Sequence, residues 1–222
     1  MFKENYFQDY FNLEKLKEKN CIRNDRDKKN VYMEEIDGKI YYIKKYKAYG
    51  RRKRNIAFGL KRDPALYYKE ISEKLKKIGI PHAEPLVVLV NRTSFFERES
   101  LYVTKKAGIH LDEYGYSDRL IQTFFDYFIK MLKNKIYPTD YNTDGALVDS
   151  EGELVLIDFD AYRQKIFLSK KYKKYVFLKL KKNFYIDFEN DISVELSKEY
   201  KKYENIINKN IELVRKELSI KN

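Results

Sequence analysis

Between Tyr137 and Arg163 the chain reads YPTDYNTDGALVDSEGELVLIDFDAYR, and no other stretch constrains the fold as much. Ala146-Leu147-Val148 and Leu154-Val155-Leu156-Ile157 are apolar runs of strand length on either side of Asp149-Ser150-Glu151-Gly152, a turn composition. The pattern predicts a short β-hairpin. Asp140 stands before this hairpin and Asp158 ends it, eighteen residues further on. Flanking aspartates can simply cap turns, so what this pair does depends on the company it keeps.

A chain of 222 residues suits one domain or two closely packed lobes and is long enough to bury a core. The single cysteine, Cys21, cannot form an internal disulfide, and the first twenty residues mix acids and bases with no apolar run. The expected location is therefore cytoplasmic. No stretch is long and apolar enough to span a bilayer, so any membrane association is expected to be peripheral. The formal charge of +12 calls for an acidic partner. A general abundance of lysine would explain the charge but not its clustering at Lys44–Arg62 and Lys165–Lys182. Nucleic acid is not the expected partner, because no recognised reader motif is present.

Earlier in the chain, Val31–Ile36 and Lys39–Tyr46 are β-branched and aromatic runs joined by Asp37-Gly38, a strong hairpin signal. This hairpin ends on Ile43-Lys44-Lys45, and upstream of it Arg26-Asp27-Lys28-Lys29-Asn30 contains no glycine with which to cradle a phosphate. Asp63, Pro64 and Gly79 mark the N-cap, first position and left-handed stop of a helix, with Tyr68, Ile71, Leu75 and Ile78 as its buried stripe. Glu70 lies beside that stripe, and Glu73 one turn later. Strands are expected at Pro85–Asn91 and Leu101–Lys105, then a connecting segment, Lys106–His110. Ser117 caps a predicted helix over Asp118–Lys135 with a broad apolar arc. Gln164–Lys182 is basic and amphipathic with no acid, and Val194–Ile220 predicts a final helix. His82 and His110 are expected at the surface or in turns, since no spacing for zinc exists.

Taken in order, Ile43-Lys44, Glu70, Asp140 and Asp158 make the chain resemble the bacterial lipopolysaccharide core heptose kinases, compact relatives of the protein kinases. The resemblance covers about residues 30–165 and is carried by DGKIYYIKK, YYKEISEKLKKIGI, SLYVTKKAGIHL and TDYNTDGALVDSEGELVLIDFDAY. It implies an α+β, two-lobed protein-kinase-like fold. A small antiparallel β lobe with one helix would span about residues 1–104, and a mainly helical larger lobe about 105–222. It implies ATP and Mg²⁺ as cofactors and a sugar hydroxyl of the lipopolysaccharide inner core as acceptor, at an anionic membrane surface. By the same resemblance Lys44 holds phosphates, Glu70 or else Glu73 orients Lys44, Asp140 is the catalytic base and Asp158 binds metal.

Three positions depart from the family pattern. Pro138-Thr139 precedes the catalytic Asp in place of His-Gly or His-Arg, Asp160 replaces a glycine, and Gly145 stands where the family has a metal-binding Asn. A second metal oxygen would then have to come from Asp144 or Asn142. These departures keep open a second reading, in which the chain is a catalytically degenerate kinase-like module that binds membrane or glycan through its basic surface.

Overall fold

The computed structural model describes residues 4–25, 28–186 and 195–220. The chain divides into two compact units, one of residues 1–74 and 83–106, the other of residues 75–82 and 107–222.

In the first unit, short helices α1 (Glu4–Gln8) and α2 (Leu13–Leu16) precede strands β1 (Cys21–Asp25), β2 (Lys29–Ile36) and β3 (Lys39–Lys47). Helices α3 (Gly50–Ala57) and α4 (Pro64–Lys77) follow, then strands β4 (Pro85–Arg92) and β5 (Arg98–Lys105). The strands form one antiparallel sheet in the order β1-β2-β3-β5-β4. Asp37 and Gly38 both take positive φ, 50° and 68°, as a two-residue turn between twisted strands requires. One face of the sheet buries Tyr32, Tyr41, Ile43, Val87, Leu101 and Val103 against Phe7 and Tyr10. Glu34 ties the N-terminal segment to β2 by accepting hydrogen bonds from Tyr6 Oη (2.7 Å), Tyr10 Oη (2.5 Å) and Lys19 Nζ (2.7 Å). The other face meets α4, where Tyr68 packs on Tyr46 and on Tyr102 with ring centroids 5.2 and 6.4 Å apart.

This unit holds more than the one helix expected. β1 is exposed along its whole length and has no apolar alternation, so only its pairing with β2 makes it a strand. The basic run before α4 is itself helical, with Ile56 its buried contact. Of the glycine-free loop upstream of β2, Arg26 and Asp27 lie outside the described residues.

At the start of α4, Ser100 Oγ accepts the Ala65 N–H at 3.3 Å, while the buried Asp63 carboxylate lies 3.5 Å from Arg98 Nη1. Gly79, at φ 63°, closes the helix with Ile80 N–H donating back to Leu75 O at 2.9 Å. The last turn of α4 therefore belongs to the second unit.

The second unit continues through β6 (Ile109–His110), α5 (Leu111–Tyr114), α6 (Asp118–Lys133), β7 (Ile136–Pro138), β8 (Ala146–Val148) and β9 (Leu154–Leu156). β10 (Tyr162–Gln164), α7 (Lys170–Lys181), β11 (Tyr185–Ile186), β12 (Glu195–Leu196) and α8 (Glu204–Glu217) complete it. Ser117 Oγ accepts the Leu120 N–H at 3.3 Å, and the apolar arc of α6 is buried in full. Left-handed Lys135 (φ 59°) stops this helix two residues earlier than expected. α8 packs on α6, with Gln122 and Asn210 exchanging side-chain amide hydrogen bonds at 2.9 and 3.2 Å. The final helix also differs from expectation. Val194 lies outside the described residues, and Lys198–Tyr203 winds as a 3₁₀ turn that buries Tyr200 and Tyr203 before α8 begins. The sequence stripe runs through both because the tyrosines and the later aliphatic residues serve one core.

Candidate active site

In the first unit, strand alternation separates two neighbouring lysines. Lys45 lies on the face of Tyr41 and Ile43 and is buried, with Nζ 3.1 Å from Glu99 Oε2. Lys44, half-buried, lies on the opposite face, between Tyr42 and Tyr46 and in register with Tyr102. That is the face on which α4 packs through Tyr68. Of the two acids proposed on α4, Glu73 is exposed and 4.0 Å from Lys69, whereas Glu70 is half-buried and its carboxylate is engaged by Arg62. Glu70 thus has Arg62 as a charged neighbour on the same unit.

In the second unit, the loop of Asp140 and the turn of Asp158 are fastened to each other. β7 and β10 pair with Tyr162 opposite Pro138, and the N–H and hydroxyl of Thr139 donate to Ala161 O at 3.1 and 2.9 Å. Thr139, one of the departures from the family pattern, thereby locks the two loops together. Asp140 is exposed, and its Oδ1 accepts from Asn142 Nδ2 at 3.3 Å. Asn142 Oδ1 accepts the Gly145 N–H at 3.0 Å, and Gly145 O accepts the Ile157 N–H at 2.8 Å. One carboxamide thus links the Asp140 loop to the start of the hairpin. Asn142, a candidate metal donor from the sequence, also braces this turn through its oxygen. Asp144 is exposed on the 3₁₀ turn Thr143–Gly145.

Asp158 takes a left-handed conformation, φ 62° and ψ 73°, one residue beyond Ile157, which follows β9. A left-handed non-glycine residue costs about 1–2 kcal/mol, so the surrounding contacts must impose it. Phe159 is buried, packs on Tyr162 with centroids 5.5 Å apart, and meets the edge of His82 at 5.6 Å. His82, expected at the surface or in a turn, follows the Gly79–Pro81 turn and is buried there, with Nδ1 2.7 Å from Ile80 O. Nothing in the local sequence signals this, because Phe159 lies far along the chain. Burial pushes the Tyr162 hydroxyl well above its ordinary range, and the nearby charges of Asp158 and then Asp140 push it further. Tyr162 therefore stays protonated near the two carboxylates.

Among the described residues no three His, Cys, Asp or Glu side chains converge as a metal cage. An ion held at Asp158 would complete its coordination from phosphate oxygens and water, which suits Mg²⁺. The residues present fit one such ion. Gly145 offers no side-chain oxygen, although a Cβ there would make ordinary contacts of 3.4 Å to Asn142 Oδ1 and 3.5 Å to Ile157 O.

In the connecting segment, Lys106 N–H donates to Ile40 O at 2.9 Å, and Ile109 and His110 pair with Val148 and Leu147 of β8. Gly108 passes so near β8 that a Cβ would lie 2.2 Å from Val148 O. The basic stretch after the hairpin splits in two. Val176, Phe177 and Leu180 of α7 are buried, whereas Ile166 and Phe167 stand 74% and 90% exposed. No helix among the described residues is long and apolar enough to cross a membrane.

No protein-family model matches the chain, and no curated protein matches its sequence. Solved structures do match. The structure of WaaP in complex with acyl carrier protein aligns at a TM-score of 0.55 and 12% identity, covering 98% of both chains. A crystal structure of WbdD aligns at 0.52 and 12% identity, covering 90% of this chain and 46% of that one. At such identity the likeness is one of fold: the chain, with its five-stranded antiparallel sheet and its helices, folds as WaaP and WbdD do, in agreement with the lipopolysaccharide-kinase resemblance of its residues.

Proposed function

We propose that the chain is an ATP-dependent kinase that phosphorylates a heptose, or a neighbouring sugar, of the lipopolysaccharide inner core. It would work at the cytoplasmic face of the inner membrane, with residues about 1–104 as a small lobe and about 105–222 as a large lobe. The observation that carries this reading is the fastening of the Asp140 loop to the Asp158 turn by the Thr139–Ala161 bonds and the β7–β10 pair, with both carboxylates near the buried Tyr162 hydroxyl. A base and a metal ligand need that kind of fixed separation.

In this reading Asp140 accepts the proton of the acceptor hydroxyl while Asn142 Nδ2 steadies its carboxylate. Lys44, on the α4 face of the sheet, neutralises phosphate charge; Asp158 would hold Mg²⁺, and Asp144 would be the oxygen donor for a second ion. Glu70, whose carboxylate Arg62 also engages, would orient Lys44. Bound ATP with Mg²⁺ supplies the transferable phosphoryl group and offsets its charge.

The test is thermal denaturation with and without ATP and Mg²⁺, followed by transfer of γ-labelled phosphate to purified core oligosaccharide. A nucleotide-dependent rise in Tm together with label on the sugar supports the kinase. A rise in Tm without transfer favours the degenerate module, the reading supported by Gly145.

A further inference from the structure

The first unit carries an exposed aromatic cluster that the proposed phosphoryl transfer does not use. Phe58 ends α3, and Phe95 and Phe96 form the tip between β4 and β5. The three rings pack edge to face on one another, with centroids 4.9 to 6.3 Å apart, yet each stays at least 41% exposed. Leu60 beside them is 75% exposed. A cluster of this size facing water marks an interaction surface, where isolated apolar residues would need no explanation.

Two local devices hold it in place. Left-handed Gly59 (φ 70°) lets Leu60 N–H return to Asn55 O at 2.8 Å, which turns Phe58 and Leu60 outward. At the other segment Ser94 Oγ accepts the Glu97 N–H at 3.0 Å, and the Glu97 carboxylate is bound by Lys53 of α3. Side-chain ordering is therefore largely complete before anything binds.

The charge around the cluster chooses the partner. Residues 47–62 contain seven Lys or Arg and no acid. Arg51, Arg54 and Phe58 are all exposed and recur at helical spacing, so they share one face of α3. Glu97, the acid at the tip, is already paired with Lys53. We infer that Phe58, Phe95 and Phe96 form a wedge that inserts into the interfacial layer of an anionic phospholipid membrane while Arg51 and Arg54 engage lipid phosphates. Aromatic rings suit the headgroup boundary, and bases beside them add electrostatic attraction. This rests on the peripheral-membrane part of the reading above but not on its phosphoryl-transfer part.

The test is co-sedimentation with phosphatidylcholine vesicles with and without phosphatidylglycerol. The wild type should bind the anionic vesicles, and Phe58→Ser/Phe95→Ser/Phe96→Ser should lower partitioning by about ten-fold or more. Arg51→Glu/Arg54→Glu should weaken binding at low salt, with the difference shrinking at high salt. The chain has no tryptophan, so a Phe96→Trp protein carries a single reporter whose emission should shift to the blue on anionic vesicles. Undiminished binding by the triple variant, or an unmoved reporter on protein that has sedimented with vesicles, overturns the wedge and leaves peripheral binding standing. Absence of wild-type binding to either vesicle overturns both, whatever the transfer assay reports.

Discussion

Replacing Gly108 by alanine should cost far more than the loss of a flexible glycine. The added Cβ would meet Val148 O at 2.2 Å and Val148 C at 2.7 Å. An ordinary carbon–oxygen approach is about 3.3–3.6 Å, so one backbone must retreat by roughly 1 Å from another. Neither can do so by turning a side chain. The retreat separates β6 from β8 at the pairs Ile109–Val148 and His110–Leu147, where both β8 residues are buried. Two backbone hydrogen bonds at about 1 kcal/mol each, and a buried group left unsatisfied at about 1–3 kcal/mol, bring the expected loss to about 3–5 kcal/mol. Gly79→Ala is the control. It is left-handed in the same unit, but the neighbour of its Cβ is the mobile end of Lys130 at 3.6 Å, so it should cost only about 1–2 kcal/mol. Urea unfolding followed by circular dichroism measures both at a common slope. If Gly108→Ala costs no more than Gly79→Ala, the close approach is not what holds glycine at this position.

Lys44→Ala should lower transfer by about a hundred-fold or more with the fold intact; Lys45→Ala should instead lower stability, because it strands Glu99, and leave the folded protein active. Comparable loss of transfer in both would end the assignment. By calorimetry and transfer assay, Asp158→Asn should abolish Mg²⁺-dependent nucleotide binding, Asp140→Asn should keep binding and lose transfer, and Asp144→Ala should weaken the Mg²⁺ dependence partway. A wild-type titration from Asp144→Ala, with a faster Gly145→Asn, would mean a single ion. Burial alone would raise the Glu34 carboxyl, but hydrogen bonds from Lys19, Tyr10 and Tyr6 outweigh it and hold it below its ordinary 4.5. Its contribution to stability is therefore present above that pH and lost as pH falls through the folded value, a dependence that Glu34→Gln should flatten in acid unfolding curves. Reversing Lys170, Lys171 and Lys173 to Glu should weaken binding to anionic vesicles by roughly 1 kcal/mol per charge and spare transfer to a soluble sugar; unchanged binding would make this segment an ordinary solvated face.

What could be read from the sequence was local. Asp37-Gly38, Ser117 and Asp149 mark their turns and caps because each acts on backbone within a few residues, as when Asp149 Oδ1 accepts from Glu151 and Glu153 at 2.9 Å. The arc of α6 was legible because its seven apolar residues meet a single core. β1 was not legible, since its strand state comes from a partner and its own side chains stay in water. Lys44 and Lys45 are alike in composition, and only the side of the sheet on which each stands tells them apart. The burial of His82 and the Thr139–Ala161 lock depend on residues distant in the chain, for which a single sequence holds no signal.

The assignment of Leu75–His82 to the second unit has a consequence for how the protein comes into being. Leu156 N–H donates to Pro81 O at 3.0 Å, and His82 lies against Phe159. A cut between residues 106 and 107 therefore cannot release an intact second unit, because one of its own pieces lies upstream of the cut. On the ribosome His82 emerges seventy-seven residues ahead of Phe159. At about 5–20 residues per second that is a wait of about 4–15 s before His82 can meet the Phe159 ring. The segment that holds His82 is thus given its final setting only once the turn that carries Asp158 has been made.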